Sequence, residues 1–525
     1  MIGIFCKAND WVRFKADVVN AFPNEKVNAE VFFELPKGPF DWRDSVTGEE
    51  QIGLLKQNLY GTPMGPRVFT SGARAFHGEN GFTPHIMDDR CFRRDFEIDE
   101  KSLQVVIGMY MDEFFGGSND MAGALWYKSF LETKWKIVWQ WTWAPMLGCD
   151  VNDNEPGRIT FGARKYVREL KDKYLPGESK PQRKTASRES ITKLVASADT
   201  LPPLGSPEDK SMHAMQAEAR GLCGGLGHLS RFKCNVTIDH AICAQGVSRP
   251  TYDTFEHLKE ILRFAWATED DEHEHVGLTP TSIVITDRDE PIRPYDDEVE
   301  RGLYEMSDAM HATPTENVPG SKSMGGFAIM FGGAAIDWAS WRFHCMTTDI
   351  TSAEVMAKSR GAGKLIFYQS LAQFLGVAMP RPLPALTDND GCWYVARDAK
   401  GTTKMIHVIK HIRFLQDVCT QDEPVIKIFQ LDGILNPTDC LATWRDSNTR
   451  KRHYAFMMGK PELARKLWRE SQRFQSYKPK KIVPAVKVPD APNFNKVGTS
   501  NAHELGAQDA VVAKKSYANA ASNNA

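Results

Sequence analysis

Apolar residues recur along the chain with two distinct periods. In Trp135-Lys-Ile-Val-Trp-Gln-Trp-Thr-Trp143 they fall at every second position, the repeat of a strand with one buried face. The run Gln104–Phe115 is apolar and β-favouring on both sides of Asp112 and Glu113, which predicts a hairpin with that acidic pair at its turn. Thr254–Trp266 instead sets Phe255, Leu258, Ile261, Leu262 and Ala265 at helical spacing. Short alternating runs make 1–176 a mixed sheet with helices. Residues 177–215, rich in Pro, Ser and charge, read as a linker, and 216–276 as a helical unit. Over 277–460, GLYEMSDA, GGFAIMFGGAAIDW and SWRFHCMT read as three strands. Thr351–Leu375 follows as a helix, PALTDND as a strand and HVIKHIRFLQDV as a helix; VIKIFQLDG is a strand before a helix start at Asn436–Asp439. Residues 461–525 read as a basic, low-complexity tail, disordered past about 475. The fold class expected is multidomain α+β and α/β.

Composition sharpens this. With 525 residues, 42% of them hydrophobic, there is chain for about three or four domains. The net charge of −2 excludes a wholly basic nucleic-acid coat, yet allows one local basic groove. Ten cysteines without a Cys-x-x-Cys pair argue against a disulfide scaffold or zinc ribbon, and Cys223, Cys234 and Cys243 read as packing residues. No apolar run approaches membrane-spanning length, and the N-terminus is charged too early for a signal peptide. An intracellular protein without a membrane partner is expected, cytoplasmic or, through the Lys-rich run 478–481, nuclear.

Two sets of carboxylates carry the candidate chemistry. A strand acid, Asp17, and the hairpin pair Asp112 and Glu113 can converge on divalent cations, hard ions that favour oxygen ligands. The second set, Asp308, Glu354, Asp388 and Asp439, falls on a strand, a helix, a strand and a helix start. Each acid also has a plain structural reading. Asp112 and Glu113 suit a polar turn, Thr351-Ser-Ala-Glu354 a capping box, Asp388 a turn, and Asp439 a helix N-terminus. Glu269–His275 (EDDEHEH) reads as a solvated acidic loop. Gly361-Ala-Gly-Lys364 lies inside a helix and lacks the spacing of a phosphate loop. His407 and His411 read as ordinary helix histidines.

The order of motifs around the first set resembles the reverse transcriptase of copia-type LTR retrotransposons. The matching segments are Asp17-Val-Val-Asn-Ala-Phe22, Leu35-Pro-Lys-Gly38, Leu54–Arg67 (LLKQNLYGTPMGPR), Gly81-Phe82 with Asp89-Arg-Cys-Phe92, Tyr110-Met-Asp-Glu113 and Met146-Leu-Gly-Cys149. Further on, Asp239, Ser248-Arg249 and His257–Trp266 stand where that family has its RPD, SR and helix between polymerase and nuclease. The second set is similar to the family's ribonuclease H motifs, in Ser307-Asp308, Thr351–Val355, Thr387-Asp-Asn-Asp390 and Pro437-Thr-Asp439.

The resemblance covers residues 11–460 and implies a partial right-hand polymerase of fingers and palm (1–176). It further implies a helical thumb or connection (216–276) and a ribonuclease H-like mixed sheet with helices (277–460). It implies Mg²⁺, two ions per active site with Mn²⁺ as substitute, held by Asp17 and Asp112, with Glu113 assisting, and separately by Asp308, Glu354, Asp388 and Asp439. Tyr110 would pack under the primer end, Tyr60 and Arg67 would line the nucleotide, and His411 would face substrate. Lys56, Arg93, Arg94, Arg164, Lys165 and Lys171 are candidates for backbone contacts. Partners implied are an RNA template, a DNA primer, RNA–DNA hybrid and deoxynucleoside triphosphates. Glu113 replaces the second Asp of the family's YVDD, Thr62-Pro-Met64 replaces LKQ, and the chain begins near the first motif. These departures predict an impaired polymerase beside a surviving nuclease. A catalytically inactive, nucleic-acid-binding relic of a retrotransposon is the alternative function.

Overall fold

The computed structural model describes residues 1–27, 30–35, 43, 46–49, 51–185, 194, 197, 200–276, 302–311, 323–344, 347–379, 381–397 and 402–478. The architecture is mixed α/β. Part of the Leu35–Gly38 motif, most of the 186–199 linker segment and the tail 479–525 lie outside these residues.

The N-terminal elements are α1 (Ile2–Ala8), β1 (Val12–Val18), β2 (Phe32–Glu34), β3 (Ile52–Leu54), α2 (Gly65–Glu79), β4 (Thr83–Pro84), β5 (Cys91–Ile98), β6 (Lys101–Tyr110), β7 (Glu113–Ser118), α3 (Met121–Glu132) and β8 (Ile137–Gln140). Six strands form one sheet in the order β4-β5-β6-β7-β1-β8, and β2 pairs with β3. The expected hairpin is there. Tyr110 pairs with Glu113, and Met111 reverses the chain at φ 55°, which puts Asp112 in the turn. Strand β8 is shorter than the tryptophan run because Trp135 and Trp143 leave it to bury in separate cores. Trp139 stacks on Phe14 with centroids 4.8 Å apart, so its ring packs against the core.

Next come β9 (Asp150–Asn152), β10 (Arg158–Gly162), α4 (Arg164–Tyr174), α5 (Pro207–Leu229), α6 (Thr237–Cys243), α7 (Tyr252–Ala267) and β11 (His273–Val276). Helix α5 starts inside the segment expected as linker, because the Ser206 side chain caps it by accepting from Asp209 N–H at 3.1 Å. A Thr251–Thr254 capping box starts α7, which buries its expected apolar face. Glu269–His275 is not a solvated loop. Strand pairing of β11 with β10 turns His273 and His275 inward, and Glu269 is buried between Arg168 at 2.9 Å and Lys180 at 2.7 Å.

The C-terminal part holds β12 (Tyr304–Met310), β13 (Met324–Phe331), β14 (Ala334–Arg342), α8 (Ile350–Phe374), β15 (Leu383–Thr387), α9 (Asp390–Arg397), α10 (Ile409–Thr420), β16 (Ile426–Gln430), α11 (Asp439–Ala442), α12 (Ser447–Met457), α13 (Pro461–Arg469) and α14 (Gln472–Ser476). Its sheet runs β14-β13-β12-β15-β16, antiparallel across the first three strands and parallel from β12 through β15 to β16. The run GGFAIMFGGAAIDW is two strands, not one. Gly332 and Gly333 take φ 67° and 93°, the two left-handed residues of a tight hairpin, and SWRFHCMT continues β14. Nor does the folded chain stop at 460: α13 buries Ala464 and Trp468 beside Tyr454 and Met457.

One apolar core crosses the expected domain boundaries. It joins Ile4 and Phe5 of α1 and Trp143 to Phe327, Val355 and Leu371. The N-terminal and C-terminal sheets also connect directly, through His85 Nε2 and Ser370 Oγ at 3.0 Å and Arg93 Nη1 donating to Phe374 O at 2.9 Å. Among the described residues no helix is long and apolar enough to cross a membrane.

Candidate active site

The parallel strands β12 and β15 place two acids side by side. Asp308 lies near the end of β12, and Asp388 directly follows β15. Helix α8 begins when Asp349, not Thr351, accepts from Ser352 N–H at 2.8 Å. Glu354 is therefore released from the capping-box role. Its Oε1 accepts from Ala309 N–H on β12 at 3.2 Å, and no donor reaches its buried Oε2. One ligand atom each from Asp308, Glu354 and Asp388 fall within 4.8 Å of one another.

Asp439 approaches from α11, and a glycine lets it. Gly326 pairs with Asp308 on β13, and a Cβ there would meet Leu441 Cβ at 2.6 Å. Yet Asp439 stands outside the 4.8 Å group. Arg445 grips it with two parallel bonds, Nε to Oδ2 and Nη2 to Oδ1, both 2.7 Å.

The electrostatics follow from crowding. Burial, then Glu354, Asp388 and Asp439, push the Asp308 carboxyl well above its ordinary range. Burial and Asp388 do the same to Glu354, and burial and Asp439 lift Asp388 to about 6. Three acids that repel, Asp308 and Glu354 buried and Asp388 half-buried, with an orphaned oxygen among them, are a donor set suited to a hard divalent cation.

Three supporting features were not legible in the sequence. Asn436, fully buried, donates from Nδ2 to Ser307 O at 3.4 Å, accepts from Thr438, and bonds the Asp388 carboxylate. Lys358, one turn after Glu354, forms a wholly buried ion pair with Glu305 at 2.7 Å. Arg445 is the third.

The first set of acids also gathers. Val18 N–H bonds Asp112 O at 3.0 Å, which draws the hairpin turn to the end of β1. Burial and then the Asp112 charge raise Asp17. Tyr60, its ring 4.7 Å from Phe22, has its hydroxyl raised by burial and then by the charge of Asp112, to which it also hydrogen-bonds. Glu113 sits opposite Asp17 across the strands but pairs with Lys15 at 3.2 Å. Tyr110 is partly exposed at the hairpin end, and Arg67 is exposed on the first turn of α2. His411 faces Ser359 Oγ at 3.0 Å on α8. Of the basic candidates, Arg93, Arg94, Arg164 and Lys171 bind Asp95, Asn80 O, Asp270 and Asp172 within the chain.

No family model matches the chain. Two curated relatives do, the retrovirus-related Pol polyproteins from transposons RE2 and RE1 of Arabidopsis thaliana. They are each 20% identical, over 413 and 407 residues, 78% of this chain and 25% of theirs. The chain is homologous to retrotransposon Pol polyproteins. This bears out the copia-type resemblance drawn from the motifs, although the chain spans about a quarter of the length of the relatives it matches. Among solved structures, a foamy viral protease-reverse transcriptase in complex with dsDNA shares 12% identity at a TM-score of 0.19, over 80% of this chain and 68% of that one.

Proposed function

We propose that residues 302–477 form a ribonuclease H-type nuclease that cuts the RNA strand of an RNA–DNA hybrid, carried beside a right-hand polymerase palm of impaired activity. The observation that carries the nuclease reading is the Asp308–Glu354–Asp388 group, with its unpartnered Glu354 Oε2, at the strand ends of the β14-β13-β12-β15-β16 sheet. The acids come from a strand, a helix and a strand end, the sequence of elements that the motif resemblance implies for them.

Mg²⁺ bound by Asp308, Glu354, Asp388 and, once available, Asp439 would supply an activated water and neutralise charge on the leaving oxygen. The chain's own work is positional. Ala309 N–H fixes one Glu354 oxygen and leaves the other for the ion. Asn436 ties Asp388 to the β12 backbone. The buried Lys358 offsets part of the negative charge from below, opposing the rise in Glu354 and Asp388. Recognition of the hybrid would rest on backbone shape and 2′-hydroxyls, not base sequence.

For the polymerase part, Asp17 and Asp112 would hold the ions for deoxynucleotide addition, with Tyr60 steadying Asp112. The Lys15–Glu113 pair supports an impaired site, because it engages the residue that replaces the family's second aspartate. The reading is tested with the full chain and labelled substrates. It predicts cleavage of RNA in a hybrid and none of the DNA strand. Equal cutting of both strands, or of neither, contradicts it.

A further inference from the structure

Asp439 already pairs with a cation of its own chain. Arg445 meets it with both arms of the guanidinium at 2.7 Å, the paired geometry that makes arginine–carboxylate contacts strong and directional. The Asp439 side chain is 15% exposed while that of Arg445 is 41% exposed, so the acid is fixed in the site and the base has solvent to swing into. The guanidinium charge also opposes part of the rise in Asp308. A cation that drew on the Asp439 carboxylate would have to share it with Arg445 and would be repelled by the guanidinium charge.

We infer that Arg445 is a built-in counter-ion that competes with the second divalent cation for Asp439, so that the site takes its first ion on Asp308, Glu354 and Asp388 and its second only when Arg445 lets go. The inference rests on the nuclease reading above and deepens it. It makes Arg445 a positioning residue, with no contact to substrate required, and it makes two-ion occupancy a regulated step instead of a fixed property of the site.

The test is calorimetric titration of Mn²⁺ into the metal-free full chain, with no substrate present. The wild type should show one tighter and one much weaker site. Arg445→Gln should tighten the second site about tenfold or more and leave the first within twofold. Arg445→Lys, which keeps the charge but loses the fork, should fall between. Thermal unfolding of each variant without metal confirms folding, and the half-exposed position of Arg445 makes both substitutions tolerable. Unchanged second-site affinity in folded Arg445→Gln overturns the inference, as does a loss of affinity, which would make Arg445 a scaffold for Asp439. If instead Asp308→Asn leaves the tighter site intact, the nuclease reading itself has failed.

Discussion

Lys358 Nζ lies 2.7 Å from Glu305 Oε2, and neither side chain has any exposed surface. The pair sits beneath Glu354, and Lys358 also donates to Leu386 O. Gly361 is part of the arrangement, because a Cβ there would collide with the Glu305 carboxylate. Removing one partner of such a pair strands the other charge away from water. Lys358→Met should therefore cost about 3–5 kcal/mol in urea unfolding. The double variant Lys358→Met/Glu305→Gln should recover most of it. An additive loss in the double variant would show that the two charges do not depend on each other.

Metal should stabilise the protein more as pH rises. Asp388 is lifted to about 6, and Asp308 and Glu354 are raised well above their ordinary range by burial and by neighbouring carboxylates. Acids raised on folding hold protons that the unfolded chain has released. Their contribution is full below the unfolded value of about 4 and is lost as pH climbs through about 6 and above. Divalent cations replace those protons. The rise in Tm on adding Mg²⁺ should accordingly be small at pH 5 and several degrees larger at pH 8. A shift that does not vary with pH, or that persists in Asp388→Asn, would contradict this.

The C-terminal part should not fold alone. Arg450 on α12 and Asp239 on α6 form a buried bidentate pair, 1% and 3% exposed, and Arg450 also bonds Asn235 O at 3.2 Å. Arg450→Ala should cost about 3–5 kcal/mol. A fragment of residues 277–460 also loses Ile4, Phe5 and Trp143 from the shared core and Trp468 from beneath α12. Circular dichroism and proteolysis should find it unfolded or molten, and a cooperative, native-like transition would refute the single-core account.

How much of this was legible in the sequence depends on range. Residues that act through local pattern were readable: the 104–115 hairpin and the 254–266 helix appear where spacing put them, and Asp308, Glu354 and Asp439 fall on the strand, helix and helix start expected for them, with Asp388 just past its strand. The Gly332–Gly333 hairpin was missed because apolar residues on both sides of the turn are buried, which erased the polar break that marks most turns. The start of the 207–229 helix, up to residue 215, was missed because its first turn, Pro-Glu-Asp-Lys, has a linker's composition, although Ser206 then Pro207 is a helix start. The partners of the site were hidden for a different reason. Asn436 reaching Ser307, and Glu305 meeting Lys358, are contacts between distant segments, and no window of sequence contains both ends.

Polymerase activity should be low and partly recoverable. A misplacement of about 1 Å costs roughly 10²-fold in rate, and Glu113 adds a methylene and pairs with Lys15. Primer extension by the full chain should be near background in Mg²⁺, and Glu113→Asp should raise it about tenfold or more. Robust synthesis by the unaltered chain would show that Glu113 is no handicap.

The central claim is that Asp308 belongs to a working metal site and not to a relic. The most direct measurement pairs hybrid cleavage with hybrid binding for the full chain and its Asp308→Asn variant in Mg²⁺. The account predicts RNA-strand cleavage that falls by about a thousandfold or more in the variant while the Kd for hybrid stays within twofold. Binding by both proteins with cleavage by neither would contradict it and leave a nucleic-acid-binding remnant.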